Sequence, residues 1–410
     1  MVSRKALFNV AIQIIPILAS LFAIPISISN LGKPLWFFYS LGITVLFLPN
    51  YFAFGAGPYL VRNLIQKNNF LLSKKWKGCI SAIIISSIIY VLFSSAFLFT
   101  TRNQDAFILN SSEKLFNVFF ILSGLMIYIM ILFKAILESK EDFYFLGTAR
   151  AFFSTGLIVI PVLSFQQEWH YAFSVFLWSI IYVFVCGNRI GDLGAKWTQN
   201  KNPIISKQNL FEYVNEVWPF GVYLFCWSFF LFFDRIIFKF FIDKNILSDH
   251  VTMQDLFNRV AIISGNISLV YYPMLSNKAN QTKLFLQHYF KQFYYVLFIF
   301  VTIIFTASIV LKKALRFWLN DDFSTYISNN AFIYLVGIII FNFSIVQIRT
   351  LHAKNKEKYV TYNLLAMLSF YLLVVSFLAI LNHPHLLPYV QTAIFLIINL
   401  ILYKKIKTND

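Results

Sequence analysis

The chain has 410 residues, of which 59% are apolar and only 12% are charged. Soluble domains carry about 25% charged residues, so a soluble globular protein is excluded. One helix needs about 20 apolar residues to cross the hydrocarbon core, so this composition is enough for roughly twelve membrane-spanning helices. The predicted fold class is an all-α polytopic membrane protein.

Basic residues dominate the charged minority: there are 34 Lys and Arg against 17 Asp and Glu, which gives a formal net charge of +17. On a soluble protein such a charge would indicate nucleic-acid binding. Here the basic residues lie in short segments between apolar runs, as the positive-inside rule describes. We therefore expect no nucleic-acid partner.

Twelve apolar runs have the length of a membrane span, and we number them spans 1 to 12. They lie at 6–29, 35–57, 78–100, 114–136, 143–164, 170–190, 216–242, 251–275, 292–311, 330–350, 359–381 and 386–403. An even number of spans places both termini on one side of the membrane. If that side is the cytoplasm, most Lys and Arg residues fall in cytoplasmic segments, which indicates this orientation.

No motif for catalysis or metal binding is visible. The longest hydrophilic segment, 188–215, is shorter than the roughly 40 residues that a stable soluble domain needs. The phosphate-binding motif GxxxxGK[ST] and the zinc motif HExxH are absent, and the three cysteines lie inside apolar runs without metal-ligand spacing. We expect no enzyme activity, catalytic residue, cofactor or metal site.

An internal repeat divides the chain into halves. The pair Leu7-Phe8, with Pro16 nine residues after the leucine, recurs as Leu210-Phe211 with Pro219. The two copies begin spans 1 and 7, which are equivalent positions of two six-span halves. The repeat therefore predicts two pseudo-symmetric six-helix lobes, residues 1–200 and 201–410.

Several short motifs carry a resemblance to a known family. They are the opening stretch 7–42 with Asn30-Leu31-Gly32, the run Phe54-Gly55-Ala56-Gly57-Pro58 with Arg62, the run Phe232-Phe233-Asp234-Arg235, and Tyr272-Pro273-Met274-Leu275. In these motifs and in its layout the chain resembles the multidrug/oligosaccharidyl-lipid/polysaccharide exporter superfamily. Within that superfamily it is similar to the O-antigen flippases of the Wzx type, also called polysaccharide biosynthesis proteins.

The resemblance implies two lobes around a central cavity and a transport function. A flippase of this family would move an undecaprenyl-pyrophosphate-linked oligosaccharide, the repeat unit of O-antigen or capsule, across the bacterial inner membrane by alternating access. Its partners would be the lipid-linked oligosaccharide, membrane lipids and other polysaccharide assembly proteins. Proton or sodium coupling is left open.

Ionisable residues inside spans are expensive, so each is a functional candidate. Arg150, in span 5, either extends to the interface or binds a phosphate from the cavity. Asp234 and Arg259 lie at equal depth in spans 7 and 8, either as a structural salt bridge or as part of the site. Arg235 and Lys239 share one helix face and are candidates for a positive lining.

Polar residues in spans 1 and 2 complete the predicted site, although interhelical hydrogen bonding is the common role of such side chains. The predicted substrate-binding residues are Asn9, Gln13, Asn50, Arg62, Arg150, Arg235, Lys239 and Arg259. The predicted ion-coupling residues are Asp234 and Asp255.

Two other functions fit a chain of this class. An O-antigen polymerase is also polytopic and rich in Phe and Ile, but it carries large periplasmic loops, and the longest outer loops here, 101–113 and 312–329, are short. A drug or cation exporter of the same superfamily should favour carboxylates in its cavity. The acidic residues of spans 7 and 8 have basic neighbours, which favours the flippase.

The orientation can be tested by labelling single cysteines introduced into a cysteine-free chain. With both termini in the cytoplasm, residues 105 and 244 should react with a membrane-impermeant thiol reagent in intact cells. Residues 74 and 201 should react only after the membrane is opened. An exchange between these two pairs would contradict the assigned orientation.

Overall fold

The computed structural model of the chain describes residues 2–53, 55–66, 74–102, 111–192, 207–233, 244–260, 264–265, 267, 270, 272, 275, 283–319, 325–381 and 383–407. These residues form helices joined by turns, and none of them lies in a β-strand. The chain divides into two compact units. The C unit combines Met1–Phe37 with Cys226–Asp410, and the N unit is Phe38–Phe225. The predicted lobes, residues 1–200 and 201–410, are halves of the sequence with boundaries that differ from those of the two units. They stay a prediction.

The described α-helices are numbered in chain order. They are α1 Val2–Ile12, α2 Ile14–Phe47, α3 Pro49–Phe52, α4 Ala56–Gln66, α5 Lys74–Arg102, α6 Ser111–Ser139, α7 Phe143–Val159, α8 Glu168–Asp192, α9 Lys207–Ser228, α10 Lys244–Phe257, α11 Lys283–Leu319, α12 Thr325–Ala353, α13 Glu357–Ile380 and α14 Leu387–Lys407. A π-helix, Phe229–Phe233, follows α9 directly, and a 3₁₀ turn, Asn258–Val260, follows α10.

The predicted all-α polytopic fold class is confirmed. Within the described ranges, ten segments are long and apolar enough to cross a membrane, and they coincide with predicted spans 1 to 6 and 9 to 12. Span 5, for example, is predicted at 143–164 and is found at Phe143–Val162. Spans 7 and 8 include residues outside the described ranges.

Proline sets a helix boundary within span 1. Pro16 lies in the first turn of α2, where a residue without a backbone N–H leaves no helical hydrogen bond unmade. The preceding break falls at Gln13, whose N–H turns back to the carbonyl of Val10 at 3.1 Å. The predicted polar residue Gln13 therefore lies at the junction of α1 and α2.

Spans 1 and 2 are joined within α2 by a kink at Gly32, where φ is 73° and ψ is 158°. A positive φ is strained for a residue with a Cβ atom and is freely adopted by glycine. Span 2 begins three residues later, at Leu35. The tight outer connection predicted at Asn30-Leu31-Gly32 thus depends on the glycine.

Aromatic side chains with polar donors join the helices of the N unit. The indole N–H of Trp178 on α8 donates to the carbonyl of Phe153 on α7 at 3.0 Å. The hydroxyl of Tyr128 on α6 donates to the carbonyl of Ser86 on α5 at 2.9 Å. Each bond gives a partner to a polar donor in an apolar environment, where an unpaired donor is costly.

Hydrogen bonds from polar side chains join α12 to α14 in the C unit. Thr392 on α14 donates to the carbonyl of Ile333 on α12 at 3.1 Å, and the amide of Gln347 donates to Asn399 at 3.1 Å. A Cβ atom on Gly337 would clash with the Thr392 hydroxyl. Small residues that allow close approach are typical of helix pairs in membranes.

The two units repeat one packing arrangement. The most extensive helix pair of the N unit is α6 with α8, and that of the C unit is α12 with α14. These helices are spans 4 and 6 in one case and spans 10 and 12 in the other. The same pairing six spans apart agrees with the predicted pseudo-symmetry.

Replacing Gly156 on α7 by alanine should destabilise the N unit. The new Cβ atom would overlap the indole of Trp178 and displace it from its hydrogen bond to Phe153, and overpacking of this kind costs about 1–3 kcal/mol. Gly57 on α4 is the matched control, because its nearest neighbour, Ile131, would lie 3.8 Å away. Thermal unfolding in one detergent should show a lower midpoint for Gly156→Ala alone; equal midpoints would contradict the packing described.

Candidate functional site

Arg150 forms a partly buried ion pair within the N unit. It is the eighth residue of α7, as the span assignment predicted, and its Nη2 atom donates to Glu138 Oε1 on α6 at 2.9 Å. The Arg150 and Glu138 side chains are only 19% and 11% exposed. Lys134, one turn earlier on α6, lies 3.8 Å from the same carboxylate. The site therefore contains two cations around one anion.

Glu138 was missed by the sequence analysis. Its i,i+4 spacing from Lys134 suggests a surface pair on one helix, and nothing in the sequence links it to Arg150. The predicted role of Arg150 in substrate binding stays a prediction, now with a defined partner.

A second ion pair lies at the same end of the N unit. Arg189, near the end of α8, donates to Asp142 at 2.7 Å. Asp142 directly precedes α7, and the Arg189 guanidinium also lies 5.6 Å from the ring centre of Phe145. This pair is more exposed than Glu138–Arg150, with Arg189 at 40%, so it serves as a comparison for the buried pair.

Arg62 lies where α4 meets α9 in the N unit. Its guanidinium is 5.1 Å from the ring centre of Phe220 on α9, a cation–π contact. The backbone makes this possible, because Gly55 before α4 has a φ of 74° and a Cβ atom there would overlap Phe220. The glycine-rich run thus brings Arg62 against the proline-containing helix of the repeat.

Tyr59 joins the same two helices one turn before Arg62. Its hydroxyl donates to Glu216 on α9 at 2.9 Å, and its ring packs edge-on against Tyr213 at 5.3 Å. Tyr59 lies in α4, outside the apolar spans, and burial followed by the hydrogen bond to Glu216 raises its pKa. The phenol therefore stays protonated and acts as the donor.

Two of the predicted amides bond to backbone carbonyls three or four residues earlier in the chain. Asn9 donates to the carbonyl of Lys5 at 2.9 Å, and Asn50 donates to the carbonyl of Phe47 at 3.2 Å. Asn9 and Gln13 are buried in the C unit, at 1% and 2% exposure. Asn9 and Gln13 belong to the C unit, whereas Arg62 and Arg150 belong to the N unit.

A buried polar network of the C unit surrounds the π-helix. A π-helix shifts the backbone hydrogen-bond register, and such segments often mark functional sites. The carbonyl of Leu231 accepts from the amide of Asn258 at 2.8 Å, and the Asn258 oxygen accepts from the hydroxyl of Tyr334 on α12 at 3.0 Å. The carbonyl of Phe230 accepts from Gln391 on α14.

The network continues along α10. His250 Nδ1 forms a hydrogen bond with the hydroxyl of Tyr326 at 2.9 Å. The preceding residue, Asp249, is buried, at 8% exposure. The predicted coupling residue Asp255 lies on the same helix and is half-buried. In this network the side-chain donors of Asn258, Tyr334 and Gln391 each have an acceptor.

The other predicted residues of spans 7 and 8 are not characterised by the structure. Asp234, Arg235 and Lys239 lie outside the described residues, and so does the side chain of Arg259, whose backbone is in the 3₁₀ turn after α10. Their roles and the pairing of Asp234 with Arg259 stay predictions.

The three cysteines, Cys79, Cys186 and Cys226, are buried and form no disulfide, as expected for packing residues. Among the described side chains, no group of three or more His, Cys, Asp and Glu residues is arranged to hold a metal ion.

Comparison with known proteins supports the fold rather than a sequence family. The sequence matches no protein-family model and no curated protein. A MATE transporter solved in complex with MaL6 has a TM-score of 0.70 at 11% identity, over 99% of this chain and 96% of that chain. A variant of the Vibrio cholerae MATE transporter VcmN has a TM-score of 0.70 at 12% identity, over 99% of this chain and 98% of that one.

A third similar structure is a MOP superfamily transporter from Pyrococcus furiosus, with a TM-score of 0.68 at 12% identity over 100% of this chain and 94% of that chain. MOP abbreviates the superfamily that the sequence motifs resemble. At these identities the likeness concerns architecture. The chain has the fold of the MATE transporters of the MOP superfamily.

Proposed function

We propose that this chain is a flippase that moves an undecaprenyl-pyrophosphate-linked oligosaccharide across the bacterial inner membrane by alternating access. The observation that carries the proposal is the charge distribution along the ten described spans. The fold and the motif resemblance support the transport mechanism.

Carboxylates are confined to the ends of these spans. Glu113, Glu138, Glu168 and Glu357 each lie within two residues of a span end, and the ten spans contain no other Asp or Glu. Among the cations of these spans, the Cα of Arg150 lies deepest, as the eighth residue of its span, and its guanidinium extends to Glu138. Charged groups at depth mark substrate pathways, so the described spans favour an anion over a cation as cargo.

A drug or cation exporter is the second candidate, because similar structures include a multidrug resistance MATE family transporter. A cationic cargo requires carboxylates along its path, and Glu138, the acid nearest to Arg150, is already paired with it. The Pyrococcus furiosus transporter has a binding pocket of reverse polarity, which suggests a different function for that protein. The fold thus accommodates more than one pocket polarity.

The proposed roles of the residues follow the three parts of the substrate. Arg62, Arg150, Arg235, Lys239 and Arg259 would bind the pyrophosphate, and Asn9, Gln13 and Asn50 would bind sugar hydroxyls. Asp234 and Asp255 would couple transport to proton or sodium influx. No covalent step is involved, so the chain's contribution is binding and a change of access.

The membrane potential can supply the driving force. Moving about two negative charges outward through roughly 150 mV, negative inside, releases on the order of 7 kcal/mol. A pyrophosphate cargo is therefore driven outward without ATP, whereas a cationic cargo would be opposed by the same potential.

The function can be tested with the purified chain in vesicles that carry a fluorescent polyprenyl-pyrophosphate oligosaccharide. We expect the chain to accelerate movement of the probe between leaflets, and a potential that drives anions in the measured direction to increase the rate. A probe with a neutral head group is the control. Equal rates for both probes, or efflux of a lipophilic cation instead, would contradict the proposal.

Variants of the Glu138–Arg150 pair distinguish a structural role of Arg150 from a substrate-binding role. Removing Glu138 takes away the carboxylate that Arg150 contacts and should cost up to about 3–5 kcal/mol, whereas removing Arg150 leaves Glu138 beside Lys134 and should cost less. The double variant Glu138→Gln with Arg150→Gln should recover most of that stability. If Arg150 also binds the pyrophosphate, thermal unfolding in detergent recovers in the double variant and surface-glycan export does not.

Asp142 and Arg189 provide the matched control for this cycle. Their double variant, Asp142→Asn with Arg189→Gln, removes an ion pair at the same end of the N unit and should retain export. Export that recovers fully in the Glu138 and Arg150 double variant would show that Arg150 is only structural.

A further inference from the structure

Helix α11 carries a groove that no part of the proposed transport mechanism uses. The groove has a volume of about 590 Å³, and its described lining residues are Gln287, Phe290, Lys291, Tyr294, Tyr295 and Phe298. Tyr294 and Phe298 are 64% and 74% exposed. These rings face the surroundings of the C unit and not its core.

The charges of α11 fix its depth in the membrane. The helix contains no Asp or Glu, and no charged residue lies between Lys291 and Lys312. These 21 helical steps span about 32 Å at about 1.5 Å per residue, which matches a hydrocarbon core of about 30 Å. Lys291 therefore lies at the level of the lipid phosphates.

The residue types around the groove change along this depth. Gln287 and Lys291 lie at the headgroup end, the two tyrosines follow within about 6 Å, and Phe298 lies about 10 Å below Lys291 along the helix. Lysine and tyrosine are the residues that membrane proteins place at the headgroup boundary. The accessible lining of the groove is almost wholly apolar, and Lys291, on a helix without Asp or Glu, lies at its headgroup end.

A second protein helix fits this surface poorly. Association of helices in a membrane relies on small residues that let the backbones approach closely. The exposed face of α11 instead presents large side chains, including Phe290, Tyr294, Phe298 and Phe305. Such a face is filled by flexible hydrocarbon chains.

We propose that this groove is a specific site for an anionic membrane phospholipid. One acyl chain lies along Phe290, Tyr294 and Phe298 in the apolar groove, and the Lys291 ammonium at its headgroup end binds the phosphate. Positive charge near the membrane surface attracts anionic lipids. The site does not depend on the proposed transport activity.

The full-length chain in detergent can be titrated with phosphatidylglycerol or phosphatidylcholine of the same acyl chains, with bound lipid counted by native mass spectrometry. We expect phosphatidylglycerol to bind more tightly, and Lys291→Gln to weaken it on the order of fivefold, the effect of one cation near an anionic surface. Lys291→Arg should retain binding. Lys358→Gln, at an exposed lysine of α13, should have no effect.

A second pair of variants tests the acyl-chain part of the site. Phe298→Ala should weaken both lipids, while Phe305→Ala, at a ring of similar exposure outside the groove, should not. Equal binding of the two lipids, or an unchanged affinity in Lys291→Gln, would overturn the proposal. Displacement of phosphatidylglycerol by an equal concentration of polyprenyl phosphate would also overturn it, because the occupant would then be the polyprenyl carrier. Each variant's melting temperature separates loss of binding from loss of folding.

Discussion

A polar group without a partner in hydrocarbon costs several kcal/mol, and the rest of the structure depends on this constraint. It makes every described span helical. Where the helix is interrupted, side chains replace the lost partners: Asn258 and Gln391 donate to carbonyls of the π-helix. The same constraint explains why the guanidinium of Arg150, the eighth residue of its helix, lies against Glu138. Arg150 and the polar residues around the π-helix therefore lie in pairs and networks.

The irregular positions of the backbone determine which helices can touch. Gly55 has a positive φ and lacks a Cβ atom, so α4 approaches α9 closely enough for Arg62 to contact Phe220. Tyr59 and Glu216 then join the same helices by a hydrogen bond. Neither Tyr59 nor Glu216 belongs to a recognisable sequence motif. Their meeting follows from a glycine that leaves room for it.

Electrostatics connects the proposed substrate with the proposed lipid site. Carboxylates stay at the ends of the described spans, and cations occupy both those ends and deeper positions. A phosphate-bearing lipid is the natural ligand for such a distribution, because its charge lies at the headgroup level and its chain lies in the hydrocarbon. Lys291 illustrates the rule on the lipid-facing side of α11, while Arg150 and Arg62 are candidates for the substrate. In both proposals a basic side chain binds a phosphate, and the neighbours that surround it decide which phosphate that is.

The sequence by itself determined the fold class and the bounds of ten spans, because apolar length is a local property that the thickness of the membrane selects directly. It also located Arg150 eight residues into its helix, and it located the glycine of the turn between spans 1 and 2. Only the tertiary structure decided that Arg150 pairs with Glu138, that Arg62 lies on Phe220 and that Tyr59 bonds to a carboxylate 157 residues away. The physical reason is that both faces of a membrane helix are apolar. Periodicity then does not show which face meets which neighbour, and partners distant in sequence are chosen by packing.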